Sequence, residues 1–231
     1  MEIQELKIFS QNINEQESFY SEVLGFNCIR TSASTLEVIT KENKLILEKS
    51  DSASYYHFAF LIPPKSIESA ITYVEDRSIE LLRFRNDKII HFDSGRAIYF
   101  YDKDANIVEF IERPSLKYLS QHSFSADSII KVNEIGLPVK NPMQVAKRLV
   151  RDFDVEPLEE IGFNDNFCWV GDYNGVIIVV KEGRNWLPTE KPAIENEFSI
   201  WYRDKGIVTS LKFENNQINR SSNEGGQDHS S

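Results

Sequence analysis

The sequence predicts an α+β fold of tandem strand–helix–strand units. Two observations carry this. A short alternating strand followed by a helix and then two or three further strands recurs three times along 231 residues. Apolar content of 41% and aromatic content of 12% suit a chain with a real hydrophobic core.

The first unit opens with a strand at 4–10 (QELKIFS). Its helix lies within 14–24 and stops at Gly25, a residue suited to the left-handed conformation past a helix end, and strands follow at 26–32, 34–40 and 43–49. The second unit opens at 56–63 (YHFAFLIP), where Pro63 and Pro64 end the strand and Ser66 is placed to cap a helix. Ile67, Ala70, Ile71 and Val74 fall on one helical face, and strands at 79–84, 88–92, 96–102 and 106–112 complete the unit. The third unit opens at 133–139 (NEIGLPV). Asn141 and Pro142 start its helix, Val145, Ala146 and Leu149 form the buried face, and strands follow at 166–172 and 175–182. After Pro188 only a hairpin over 197–213 is expected, turning at Asp204 to Gly206 like a truncated fourth unit. The segment 115–127 reads as a linker, and the polar, Ser/Gly-rich stretch 214–231 reads as a disordered tail.

Composition excludes several function classes. A net charge of −10 with scattered Lys and Arg argues against a nucleic-acid partner. No apolar run reaches the length of a membrane span, and MEIQELKIFSQN is not a signal peptide, so no membrane partner is expected and the cytoplasm is the expected location. Cys28 and Cys168 form no metal-binding spacing and read as buried thiols of a reducing compartment. Nucleotide cofactors have no Gly-rich signature. Asp102, Asp104 and Asn106 alternate like a calcium loop, but Ile107 and Arg113 stand where an EF-hand needs Gly and Glu, so the segment reads as a turn.

Side chains alternate along a strand, so parity separates the faces. Leu6 and Ile8 share one face, with Glu5, Lys7 and Phe9 opposite; Phe58, Phe60 and Ile62 oppose His57, Ala59 and Leu61; Val108 and Phe110 oppose Ile107, Glu109 and Ile111. Each strand thus has an apolar face for helix packing and a mixed face carrying an ionisable residue. A curved sheet whose mixed faces line a concavity would gather Glu5, His57 and Glu109.

These repeats, with ESFYSEVLGF, YHFAFLIP and AIYFYDKDANIVEF, resemble the vicinal oxygen chelate superfamily of glyoxalase I, bleomycin-resistance proteins, fosfomycin-resistance enzymes and extradiol dioxygenases. The resemblance covers residues 3–113 and extends more weakly over 132–183; Lys103 and Ala105 replace the Pro and Gly of the family turn. It implies tandem βαβββ units forming curved mixed sheets around a cleft. Units one and two (1–114) are expected to pair, leaving a degenerate second half at 128–213.

The resemblance also implies metal ligands at Glu5, His57 and Glu109, with His57 and Glu109 as the catalytic candidates. The last strand of unit one offers Ile46 or, in a shifted register, Glu48. Glu134 holds the first-strand position of unit three, whose last strand offers no ligand before Glu182, so the site is expected in units one and two. One imidazole and two carboxylates suit iron, manganese or zinc, acting as a Lewis acid on a small-molecule substrate in a lyase, isomerase or dioxygenase. Alternatively Lys7 pairs with Glu5 or Glu109 and His57 is a cavity histidine, giving a metal-free protein that sequesters a small molecule. A third reading has the cleft packed shut by Phe9, Leu61 and Ile111. His91, Tyr99 and Tyr101 are further acid–base candidates, His122 and His229 read as solvated, and the tryptophans of FCWVGDYNGV and GRNWLPTEKP read as packing residues or a stacking platform.

Overall fold

A computed structural model describes residues 1–119, 123–158 and 163–220. In chain order the elements are β1 (Glu2–Ser10), α1 (Ile13–Glu17, continued by a π-helical turn at Ser18–Val23), β2 (Asn27–Ser32), β3 (Thr35–Ile39), β4 (Lys44–Lys49), β5 (His57–Ile62), α2 (Ile67–Glu75), β6 (Ile90–Phe92), β7 (Gly95–Tyr101) and β8 (Ile107–Glu112). They continue with β9 (Lys131–Val139), α3 (Pro142–Phe153), β10 (Phe167–Asp172), β11 (Gly175–Lys181), β12 (Phe198–Asp204), β13 (Ile207–Glu214) and β14 (Gln217–Arg220).

The strands form two seven-stranded mixed sheets, β14-β13-β12-β1-β4-β3-β2 and β10-β11-β9-β5-β8-β7-β6. This confirms the fold class and corrects the pairing of units. Unit two joins unit three through the antiparallel pair β5–β9, and unit one joins the C-terminal hairpin through β1–β12. The apolar strand faces divide as parity predicts. Leu6, Ile8, Phe58, Phe60, Val108 and Phe110 belong to the large core shared with the helices, while Ala59, Leu61, Ile107 and Ile111 line the other face of the second sheet. Each fully buried phenylalanine of the large core contributes on the order of 1.5–3 kcal/mol.

Local chemistry departs from expectation in four places. The Ser66 side chain does not cap α2; the buried Glu112 carboxylate instead accepts from the Ser66 and Ile67 backbone N–H groups at 2.9 and 3.0 Å. Residues 79–84 form no strand and are held by Leu82 N–H donating to Tyr99 C=O and by a Phe84–Asp87 bridge. The segment expected as a linker ends in a 3-10 turn at Ala126–Ser128. The expected tail begins too early, because β13 reaches Glu214 and β14 occupies Gln217–Arg220 after a left-handed turn at Asn215 and Asn216. Its remainder, with His229, and His122 lie outside the described residues.

The Asp-rich segment is a turn held from inside. Asp102 is buried and accepts four hydrogen bonds: from Asp104 N–H (3.1 Å), Asn106 N–H (2.9 Å), Asn106 Nδ2 (2.8 Å) and the Tyr20 hydroxyl (3.0 Å). Asn106 in turn accepts from Tyr56 N–H at 2.7 Å, so the turn fixes where β5 and β8 both begin. Asn43, at the corresponding place before β4, receives Val132 N–H and donates to Ile3 and Val132 carbonyls, tying the two sheets together. Replacing Asp102→Ala strands these donors, and a loss of about 2–4 kcal/mol is expected. Urea denaturation checks it, and an unchanged midpoint would show that the turn is not anchored this way.

Candidate metal centre and cavity

β5 supplies the centre of the site. Its Ala59 stands opposite Glu109 of β8 on one side and Glu134 of β9 on the other. Between Ala59 and Phe60 the register shifts by one residue, so that Phe60 faces Val132 and Asn133 is extra. This bulge lets Val132 stay in the helix-facing core while Glu134 turns to the opposite face. His57 lies two residues before Ala59 and so shares that face. One ligand atom each of His57, Glu109 and Glu134 lies within 4.8 Å of the others, and all three residues are buried.

The protonation chemistry of this group is constrained by its neighbours. His57 Nδ1 lies 3.3 Å from the Ile107 carbonyl, which can only accept, so that nitrogen carries the proton. Nε2 then presents its lone pair towards Glu109 Oε2, 3.3 Å away. Two lone pairs at that distance require a proton or a cation between them. The Tyr99 hydroxyl donates to Glu109, and burial followed by the Glu109 charge pushes the phenol well above its ordinary range, which keeps it a neutral donor. Arg113, fully buried just after β8, pairs with Glu134 through Nη2 and donates from Nε to Asn133 Oδ1 at 3.2 Å. Burial raises the Glu134 carboxyl to about 7, and the Arg113 guanidinium opposes that rise.

The group forms the floor of a cavity of about 470 Å³, within the range of small-molecule sites. Phe92, Tyr99, Phe167, Trp169 and Trp186 wall it, with His91 at one sheet edge. Trp186 lies over His57 with ring centroids 4.8 Å apart. It fits there because residue 136 is glycine: a Cβ at that position would sit 2.5 Å from Trp186 Cη2. The reading of a cleft packed shut by Phe9, Leu61 and Ile111 is therefore corrected; Ile111 lines an open cavity, and Phe9 belongs to the other sheet.

Of the predicted ligands, His57 and Glu109 come together and Glu5 does not join them. Glu5 lies in the first sheet, 3.4 Å from Lys44 Nζ, and faces Trp201 of β12. Glu48 pairs with Lys7 at 2.9 Å, which replaces both proposed partners of Lys7. Glu134, expected to stand outside the site, takes the third place. The signal for it was the one that singled out Glu109, an acid inside an apolar strand. Arg113 had no such signal, since a charge after an apolar run reads as solvent-facing. His91 and Tyr99 line the cavity, and Tyr101 instead contacts Lys191.

Gly136→Ala is expected to push Trp186 off His57, with a cost of about 1–3 kcal/mol for the overpacking. Tryptophan emission and thermal melting check this; an unshifted emission spectrum would show that Trp186 does not rest there.

No family model matches the chain, and no curated protein matches it. Among solved structures it is similar to a Bacillus subtilis protein provisionally described as a dioxygenase, at 14% identity and a TM-score of 0.59, covering 92% of this chain and 84% of that one. Shorter matches cover 48% of this chain and 92% of a lactoylglutathione lyase from Agrobacterium tumefaciens (18% identity, TM-score 0.42), and 49% of this chain and 92% of a glyoxalase/dioxygenase from Nostoc punctiforme (20% identity, TM-score 0.39). The match to the Bacillus subtilis structure runs over nearly the whole chain and shows that the two share a fold of two mixed sheets built from strand–helix–strand units.

Proposed function

We propose that the chain is a glyoxalase/dioxygenase-like protein that binds a small molecule in the cavity of its second sheet, with a divalent ion held by His57, Glu109 and Glu134. The observation that carries this is the buried convergence of one imidazole and two carboxylates on a cavity floor. The donor set suits iron, manganese or zinc, and the fit is supported by His57, whose Nδ1–H is engaged by a backbone carbonyl while Nε2 remains free to ligate. When bound, the ion supplies Lewis acidity towards substrate oxygens. Glu109, oriented by Tyr99, is the candidate base, and the neutral Tyr99 phenol is placed to return a proton. The aromatic walls exclude water and hold the substrate over the floor. Among the described residues no helix is long and apolar enough to cross a membrane, and the free thiols of Cys28 and Cys168 suit a cytoplasmic setting.

The Arg113–Glu134 pair supports the rival reading of a metal-free sequestering protein, because it already balances one carboxylate. Elemental analysis of protein purified without chelators, with zinc titration by calorimetry, separates the two. Near-stoichiometric metal in the wild type and at least a hundredfold weaker binding in His57→Ala are expected. Absence of metal, or unchanged affinity in the variant, favours the sequestering protein.

The pH dependence follows from Glu134. A carboxyl raised to about 7 holds its proton below that pH, and a cation must displace it. Zinc affinity should therefore be full above about pH 8 and fall roughly tenfold per unit as pH drops below 7. Glu134→Gln should remove that proton competition, at the cost of weaker binding throughout. A flat affinity profile between pH 8 and 6 in the wild type would count against Glu134 as a ligand.

A further inference from the structure

We propose that the cavity takes the protonated head of an aromatic primary amine, whose N–H groups are read by His57 Nε2, Glu109 and Glu134. This rests on the small-molecule reading above but not on the ion: an ammonium group and a divalent ion are alternative occupants of the same floor. The inventory of donors and acceptors carries it. His57 Nε2 presents a lone pair because Nδ1 is turned to the Ile107 carbonyl, and each ionised carboxylate can only accept. All three residues line the cavity, and one ligand atom of each lies within 4.8 Å of the others. Three atoms so spaced can all stand within about 2.8 Å of one nitrogen, which is hydrogen-bonding distance. An ammonium offers three donors and no acceptor, the complement of that set, whereas a ligand oxygen without a proton would add a fourth acceptor.

Charge agrees with the geometry. Asp93, Glu109 and Glu134 line the cavity against one lining arginine, Arg184. Arg184 rests against Phe167 at 5.1 Å and forms no ion pair among the described residues. Arg113 offsets Glu134, but Glu109 meets the Tyr99 hydroxyl and the His57 imidazole, neither of which brings a fixed positive charge. A buried carboxylate in that position gains from a cation beside it. The rings nearest the floor favour the same ligand. Trp186 and Tyr99 both flank His57, with ring centroids 4.8 and 6.1 Å from it, so a nitrogen bonded to Nε2 lies beside two π systems. Phe92, Phe167 and Trp169 continue the wall away from the floor and give an attached ring a surface to stack on.

The test titrates four probes by calorimetry into the full chain stripped with chelator: 2-phenylethylamine, 2-phenylethanol, trimethyl(2-phenylethyl)ammonium and butylamine. The alcohol keeps the ring without the charge, the quaternary ion keeps the charge without N–H donors, and butylamine keeps the head without the ring. The primary aromatic amine should bind at least tenfold more tightly than each of the other three. Glu109→Gln, checked for folding by circular dichroism, should weaken it about tenfold and leave the alcohol within twofold. In chain that has taken up zinc the amine should bind at least tenfold more weakly, because the floor is then filled. An alcohol or quaternary ion that binds as tightly as the amine, amine affinity undiminished by bound zinc, or no amine binding at millimolar concentration overturns the proposal. Zinc content measured on the same samples scores the metal centre separately: selective amine binding by a protein that takes up no zinc retains this inference and removes that one, and zinc uptake without amine selectivity does the reverse.

Discussion

The site depends on the register of β5. A residue with almost no side chain, Ala59, is flanked by Glu109 on the parallel strand β8 and by Glu134 on the antiparallel strand β9. Strand spacing alone then holds the two carboxylates apart across the width of one strand, with His57 above them on the same face. The parallel half of that register is set by the Asp102 turn, through Asn106 and the Tyr56 backbone. The antiparallel half is set by the bulge at Asn133, without which β9 could not keep Val132 in the core and present Glu134 to the cavity. The extra residue is used as well as tolerated: the Asn133 side chain accepts from Arg113 and donates to the Tyr173 carbonyl, fixing the guanidinium beside Glu134.

Two buried carboxylates 4.8 Å or less from a common partner set cannot both stay ionised without compensation. Three sources of compensation meet here. Arg113 supplies one fixed positive charge, Tyr99 supplies a hydrogen bond to Glu109, and the gap between His57 Nε2 and Glu109 requires a proton or a cation. With Arg113 alone the floor is one positive charge short, and Glu134 meets that shortage by holding a proton up to about pH 7. The same deficit is the electrostatic basis of the proposed divalent-ion site. The electrostatics thus turn a structural ion pair and a candidate metal centre into alternative states of one cluster.

Much of the fold was legible because it is written locally. Period-2 alternation separated Phe58 and Phe60 from His57 and Ala59, the Gly25 stop and the Asp204 to Gly206 turn have short-range chemistry, and repeats of one unit announce themselves. Strand partnership is not local. Nothing within the apolar runs of 56–62 or 133–139 says that these two strands pair with each other, and the choice is made by side chains spread across both sheets. The site inherited that limit. His57 and Glu109 belong to one unit, so any arrangement keeping the unit intact keeps them together. Glu5 and Glu134 compete for the third place, and only the pairing of units decides between them.

The comparison of the two sheets shows why Glu5 is excluded. In the first sheet β1 carries a bulge at Gln4, so that Ile3 faces Tyr202 and Glu5 faces Trp201, as Val132 faces Phe60 and Glu134 faces Ala59 in the second. Glu5 is therefore the counterpart of Glu134, in a sheet where Trp201 occupies the place of Ala59. Trp201 itself faces Ser210 on β13, where the second sheet has Glu109 facing Ala59, and Lys44 is the parallel neighbour of Glu5 where Val176 is the neighbour of Glu134. A large ring at the centre, a hydroxyl in place of a carboxylate and a lysine at the flank convert the same scaffold into a surface held by the Lys44–Glu5 and Lys44–Glu37 pairs. One carboxylate does not gather such a cluster; the small residue between two of them does, and this chain carries that arrangement in its second sheet.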